Sequence, residues 1–297
     1  MGPSPLAGGA GFSPVGASPN ICRMRHTAPA PTSVVLLHGI GGAGSIWQGQ
    51  LARLAAAGFT AVAPDLPGYG GRESVAGLDF AGLAADVEGA IAAHRLTRPV
   101  LVGHSLGGMI AQTLLRRRPQ GYAAALLACT SPAFGNPDGA LQRRFIAERL
   151  RPLDAGGTMA TLAPGLVDAL IGPEADPDGR AKAIAVMSAV PPDTYRAALR
   201  SLVRFDERAN LAHIRVPVLC LACERDGVAP PAMMARMAAK IPDARFLLLR
   251  RLGHLPNLEA PEAFDAAMFD FLHGLASRAG QRVPRAAATQ KGPACTG

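Results

Sequence analysis

Short apolar runs alternate with segments of helical spacing through the first 130 or so residues. The runs from Val34 to His38, Thr60 to Ala63, Val100 to Gly103 and Ala123 to Cys129 are too short for helices and predict buried strands. Between them, three segments repeat apolar residues every three or four positions and predict helices. The first is 46–57, closed by Gly58; the second is 80–94, with Leu83, Val87 and Ile91 on one face; the third is 106–118, stopped by Pro119. The alternation then breaks, and residues 134–208 show only helical patterns interrupted by Pro and Gly. It resumes with a strand from Val218 to Cys223, a helix from Ala232 to Lys240, a strand from Arg245 to Leu249 and a helix from Pro261 to Leu275. Strands alternating with helices bury a parallel sheet on both faces. The expected fold class is therefore α/β: a mostly parallel, doubly wound sheet with a helical insertion. The core is expected at 32–133 and 209–276, with a helical cap at 134–208. Residues 1–31, rich in Gly, Pro, Ser and Ala, read as irregular, only Ile21 to Arg25 looking extended, and 277–297 read as a disordered basic tail. No internal repeat interrupts this plan.

Composition changes the picture little. With 49% apolar and 18% charged residues, the 297-residue chain is globular and large enough to bury a core without disulfide or metal support. The net charge of +8 suggests an acidic partner only until it is located. Six of the eight charges come from Arg23, Arg25, Arg278, Arg282, Arg285 and Lys291, in end segments without acids. No folded element concentrates them as a nucleic-acid face requires, so no nucleic-acid partner is expected. The five cysteines, Cys22, Cys129, Cys220, Cys223 and Cys295, are odd in number and irregularly spaced, which argues against a disulfide framework. Cys220 and Cys223 form a CxxC, but inside an apolar strand and without a second ligand pair, so they read as buried hydrophobes rather than a metal site. No charged n-region leads into an apolar stretch, and no segment has the apolar length of a membrane span. The expectation is a cytoplasmic protein without a membrane partner; self-association is left open.

Chemistry enters at Gly103-His104-Ser105-Leu106-Gly107. This GxSxG sits between a predicted strand and a predicted helix, where a sharp turn would present the serine at the carboxyl end of the sheet. The helix N-terminus and the Leu106 N–H would supply positive potential where an oxyanion forms. A serine hydroxyl needs a base. Of seven histidines, His254 follows the last strand and so reaches the same sheet edge. His26 lies in the irregular start, His94 and His273 near helix ends, and His213 before a strand; His104 would point away from the serine. Asp226, in the loop after the strand ending at Cys223, would orient the base and stabilise its charged form; Glu224 is its nearest competitor. The alternative acid position after Cys129, Thr130-Ser131-Pro132, holds no carboxylate. The glycine loop after the first strand, His38-Gly39-Ile40-Gly41-Gly42, would contribute the Ile40 N–H as second oxyanion donor, with His38 bonding backbone.

Five motifs in order carry a family resemblance across residues 33–275: HGIGG at His38, DLPGYGGR at Asp65, GHSLGG at Gly103, ERDGVAPP at Glu224 and GHLPNLEAPEAF at Gly253. Together they resemble the α/β-hydrolase family, with most similarity to 3-oxoadipate enol-lactonase-like and carboxylesterase-like serine hydrolases. The resemblance implies an α/β-hydrolase fold and a small-molecule ester or lactone substrate cleaved without a cofactor. Meta-cleavage carbon–carbon hydrolases and non-catalytic binders of this fold stand as alternatives. The elbow residue is Ser105, not the aspartate of the haloalkane dehalogenases and epoxide hydrolases, which disfavours those chemistries. The resemblance also implies an antiparallel strand pair before the HG loop, where this chain is rich in Pro, Gly and Ala. Trp47, Met109 and Phe134 are candidates for an acyl pocket, although core packing suits each; Arg143, Arg144 and Arg196 are candidates for a substrate carboxylate, although solvation suits each.

Overall fold

The computed structural model describes residues 33–74, 78–134 and 139–281. Its first half follows the predicted alternation: β1 (Ser33–Leu37), α1 (Gln48–Ala56), β2 (Thr60–Val62), α2 (Phe80–Ala93), β3 (Val100–His104), α3 (Leu106–Arg117) and β4 (Ala124–Ala128). Four helices come next, α4 (Ala140–Asp154), α5 (Met159–Asp168), α6 (Pro177–Ser188) and α7 (Pro192–Leu202). The chain closes with β5 (Val218–Cys223), α8 (Pro231–Ala238), β6 (Ala244–Leu249), α9 (Pro256–Glu259) and α10 (Pro261–Gln281). All described strands run parallel in one sheet, ordered β2-β1-β3-β4-β5-β6.

The burial of each strand explains its sequence. β3, β4 and β5 are buried at every residue, because helices cover both faces, and so they read as unbroken apolar runs. The edge strands β2 and β6 are only partly covered. The strand order turns back at β1, which has β2 on one side and β3 on the other. Open α/β sheets form their ligand crevice at the carboxyl ends of the strands beside such a reversal.

Several boundaries differ from expectation. A 3-10 turn, Gly44–Trp47, replaces the predicted start of the first helix. Trp47 is fully buried and packs on Phe264 at 5.7 Å between ring centroids, so it belongs to the core and not to an acyl pocket. The final helix continues beyond Leu275, so 277–281 are helical rather than the start of a disordered tail. Its last turns lack an apolar stripe, and nothing before Gln281 forces a stop. The short α9 was not anticipated, being one turn long and without periodicity. The extended stretch expected from Ile21 to Arg25, Cys22 and His26 lie outside the described residues, as do Cys295 and 282–297.

Among the described residues, no helix is long and apolar enough to cross a membrane.

Candidate active site

Ser105 stands between β3 and α3 with φ 53° and ψ −116°, a backbone conformation that side-chain-bearing residues rarely adopt. Packing enforces it. A Cβ on Gly107 would collide with the Leu37 carbonyl of β1, and one on Gly103 with the Gly107 carbonyl. Only glycine lets α3 pack this tightly over the sheet. The Ser105 N–H donates to the Ala128 carbonyl at 3.0 Å and the Thr130 hydroxyl to the Ser105 carbonyl at 2.7 Å, so the strained residue is clamped on both sides. Leu106 begins α3, and its N–H is one of those with no acceptor inside the helix. Ile40 lines the cavity above Ser105.

The three side chains singled out in the sequence meet. His254 Nε2 is 3.0 Å from Ser105 Oγ, and His254 Nδ1 is 2.8 Å from Asp226 Oδ2. Asp226 also accepts the N–H groups of Val228 and Ala229 on Oδ1, at 2.8 and 2.9 Å. Burial alone would push the Asp226 pKa up, but the His254 bond and charge and the two backbone donors outweigh it and hold the carboxyl below its ordinary value. Asp226 therefore stays an acceptor, which leaves His254 Nδ1 as the donor and Nε2 free to accept from the serine hydroxyl. Glu224 is turned to the backbone N–H of Arg251 and takes no part in this line.

The backbone of His254 is held on every side. Its N–H donates to the Leu170 carbonyl at 2.7 Å. Its carbonyl accepts from His104 Nε2 at 2.6 Å. Burial, first of all, drives the His104 pKa down to about 3, so the ring stays neutral with its proton on Nε2. His104 is thus a support for His254 rather than a bystander, a role the sequence did not disclose. Glu259 is the second such support. Its Oε2 accepts the N–H groups of Gly172 and Gly253, and its Oε1 that of Leu255, each at 2.7 Å. Among the described residues no Lys or Arg pairs with this buried carboxylate. Its one sequence signal is an acid between Leu258 and Ala260 within GHLPNLEAPEAF.

His38 behaves as expected. Its Nδ1 donates to the Gly39 carbonyl at 2.9 Å and its Nε2 accepts the Leu66 N–H at 3.1 Å, tying the glycine loop to the DLPGYGGR turn. Burial lowers its pKa to about 4, opposed by the Gly39 bond and by Asp65.

A cavity of about 610 Å³ opens over Ser105. Strand-end loops form its floor, and residues of α4, α5, α6 and α7 form its roof. Met109 and Phe134 line it, unlike Trp47. Arg144 is paired with Glu148 at 2.7 Å and Arg196 with Asp154 at 2.7 Å, both at the surface, and neither of these nor exposed Arg143 lines the cavity. The one described cluster of metal-capable side chains is Cys129, Asp226 and His254, with ligand atoms within 4.8 Å of one another. Two of these already bond to each other, and burial pushes the Cys129 thiol well above its ordinary pKa, keeping it protonated. Cys220 and Cys223 are buried and free, as read from the sequence, and Cys223 Sγ is 3.6 Å from Cys129 Sγ.

Residues 34–267 match the alpha/beta hydrolase family. Escherichia coli RutD, which bears a carbamate hydrolase name, is 30% identical over 84% of this chain and 90% of its own. An esterase of Thermogutta terrifontis, solved with malate bound, superposes with a TM-score of 0.73 at 25% identity, over 84% of this chain and 92% of that one. The enol-lactonase of Burkholderia xenovorans superposes with a TM-score of 0.72 at 25% identity, over 84% and 93%. With a strained serine elbow at the carboxyl edge of a parallel sheet and a match spanning most of its length, the protein belongs to the alpha/beta hydrolase family of enzymes.

Proposed function

We propose that the protein hydrolyses a small carboxylic ester or lactone through an acyl-enzyme on Ser105. The observation that carries this reading is the hydrogen-bonded line from Ser105 through His254 to Asp226 at the floor of the cavity. Ser105 Oγ attacks the carbonyl carbon as its proton passes to His254 Nε2, and Asp226 stabilises the imidazolium. The Ile40 and Leu106 N–H groups receive the oxyanion. On collapse, His254 gives its proton to the leaving alkoxide. A water, deprotonated by His254, then releases the carboxylic acid and restores the serine. The names of the relatives, an esterase, an enol-lactonase and a carbamate hydrolase, support acyl chemistry of this kind. The four-helix insertion serves as the cap that selects the substrate. The test compares wild type with Ser105→Ala on p-nitrophenyl esters and an enol-lactone, alongside labelling by a fluorophosphonate. Turnover and labelling that both vanish in the variant support the proposal. A variant that hydrolyses as fast as wild type defeats it.

A further inference from the structure

Arg149 lies on the face of α4 that also presents Leu141, Gln142 and Phe145 to the cavity. Its guanidinium carbon sits 3.6 Å from the centroid of the Phe145 ring. Phe145 in turn meets Phe134 edge-on at 4.8 Å. Among the described residues, Arg149 is the one arginine or lysine that lines the cavity, and no aspartate or glutamate lines it. The other two titratable nitrogen bases there are occupied, His104 by the His254 carbonyl and His254 by Ser105 and Asp226.

Three other arginines of the four-helix insertion have partners. Arg144 pairs with Glu148, Arg196 with Asp154 and Arg180 with Asp168. Glu148, next to Arg149 in the chain, is thereby directed to the outer surface. Among the described residues, no carboxylate forms a hydrogen bond or ion pair with Arg149. The side chain is half-buried, and that burial draws its pKa below the ordinary arginine value, with Tyr195 and Glu148 opposing it. A guanidinium withdrawn from water without a counter-ion is unfavourable. Stacking on Phe145 offsets part of this and holds the planar fork in one orientation. An anion entering the cavity would supply the rest, and a planar carboxylate matches the fork with two parallel hydrogen bonds.

We infer that Arg149 is the anion-binding point of the cavity, and that the substrate carries a carboxylate in addition to the ester or lactone carbonyl that reacts. The chemistry of that carbonyl rests on the serine-hydrolase reading; the anion site does not. The surrounding wall is apolar, contributed by side chains such as Leu166, Met187 and Leu199, so the body of the substrate is a short hydrocarbon or ring between two polar ends.

The experiment uses two matched esters, mono-p-nitrophenyl glutarate and p-nitrophenyl valerate, with wild type, Arg149→Met and Arg149→Lys. Methionine keeps the apolar stem over Phe145, and the thermal midpoint of each variant reports that it is folded. The expected result is a preference for the acid ester, as a ratio of kcat/KM, that falls about 10- to 100-fold in the methionine variant, the range for losing a hydrogen-bonded charge. The loss should lie mainly in KM. Lysine, with its charge but no fork, should restore part of it. Equal effects on both esters, or none on either, overturn the inference. A second readout is independent of turnover: glutarate binding by calorimetry to Ser105→Ala, with and without Arg149→Met. Binding that disappears with Arg149 supports the anion site even if neither ester is hydrolysed, an outcome that would count only against the serine-hydrolase reading. Binding that persists at equal strength overturns it.

Discussion

The floor and the roof of the cavity are built on different principles. The floor is made from strand ends and is over-determined by polar contacts to backbone. His254 alone is held through its N–H by Leu170, through its carbonyl by His104 and through its flanking amides by Glu259. The roof presents mostly apolar side chains from four helices, and its ion pairs, such as Arg144–Glu148 and Arg180–Asp168, lie on the outer surface. The proposed acyl transfer demands a geometry correct to a fraction of an ångström, which backbone-anchored contacts in a strained loop would provide. Substrate choice demands a wall of a certain shape, which many side-chain sets provide. Changes in the floor should therefore act on kcat, and changes in the roof on substrate preference.

The largest effect that sharpens this contrast is expected from Asp226→Asn. The asparagine has one acceptor oxygen, while Val228 and Ala229 both donate to the side of the carboxylate away from His254. The oxygen stays with those amides, and the NH2 group faces His254 Nδ1 and favours the tautomer that cannot accept from Ser105. A loss of about 10³- to 10⁴-fold in kcat is expected, with KM nearly constant, by steady-state kinetics on a neutral ester. A loss confined to KM would show that the floor does not work as described.

Next in size is Glu259→Gln. Its carboxylate accepts three N–H groups with two oxygens, and an amide turns one of those oxygens into a donor facing another donor. Either Leu255 or the Gly172–Gly253 pair loses its acceptor, and His254 shifts. We expect kcat to fall about 10- to 100-fold while the thermal midpoint drops by only a few degrees. The rate of fluorophosphonate labelling of Ser105 should fall in parallel, which loss of fold alone would not produce at a temperature well below unfolding. Because Gly172 lies between α5 and α6, this residue also joins roof to floor, and the variant measures how far the two are coupled.

The same contrast explains what could be read from the sequence. The central strands announced themselves as apolar runs because both sheet faces are covered there, and the elbow did so because glycine at positions 103 and 107 is a steric necessity. The meeting of Ser105, Asp226 and His254 was legible as order and placement, since each follows a strand on the same edge. His104 and Glu259 were not, because their task is to bond backbone groups brought close by the fold, His104 across 150 positions. Neither has a spacing rule. Arg149 was passed over in favour of Arg143, Arg144 and Arg196 because helical periodicity in a polar segment does not reveal which arginine faces inward. Trp47 failed as a pocket candidate for the opposite reason, a large apolar side chain being satisfied first by the core.

A roof residue provides the next test. Met187 of α6 lines the cavity and reaches over the glycine loop after β1, so close that a Cβ on Gly41 would strike its terminal methyl group. Met187→Ala should enlarge the cavity at a stability cost of about 2 kcal/mol, low in the range for truncating a buried methionine because one side already faces open space. Across a series of acyl chain lengths, the optimum should move toward longer chains by several-fold in kcat/KM, with kcat on the best substrate within about threefold of wild type. A uniform fall in kcat at every chain length would instead place Met187 in the floor's work.

The smallest effect separates floor from roof by their response to acid. His38 and His104 are buried neutral, with folded pKa values lowered from 6.5 to about 4 and about 3, chiefly by burial. The unfolded chain binds protons there between pH 6.5 and those values, whereas the folded chain does not. Their contribution is complete above pH 6.5 and is lost as the pH falls toward 4 and 3, on the order of 3 kcal/mol for His38 alone. The roof's exposed ion pairs contribute little at any pH and are screened by salt. The thermal midpoint should therefore fall between pH 6.5 and 4 and be almost indifferent to added salt at pH 7. His38→Asn is expected to lower the midpoint at neutral pH, since the Leu66 N–H loses its acceptor, yet to flatten the acid slope because one titrating group is gone. An unchanged slope in that variant would remove His38 from the account of acid sensitivity and leave the burden on His104, whose ring lies 5.0 Å from that of His254 and whose protonation would place a buried charge at Nδ1, an atom with no hydrogen-bond partner among the described residues.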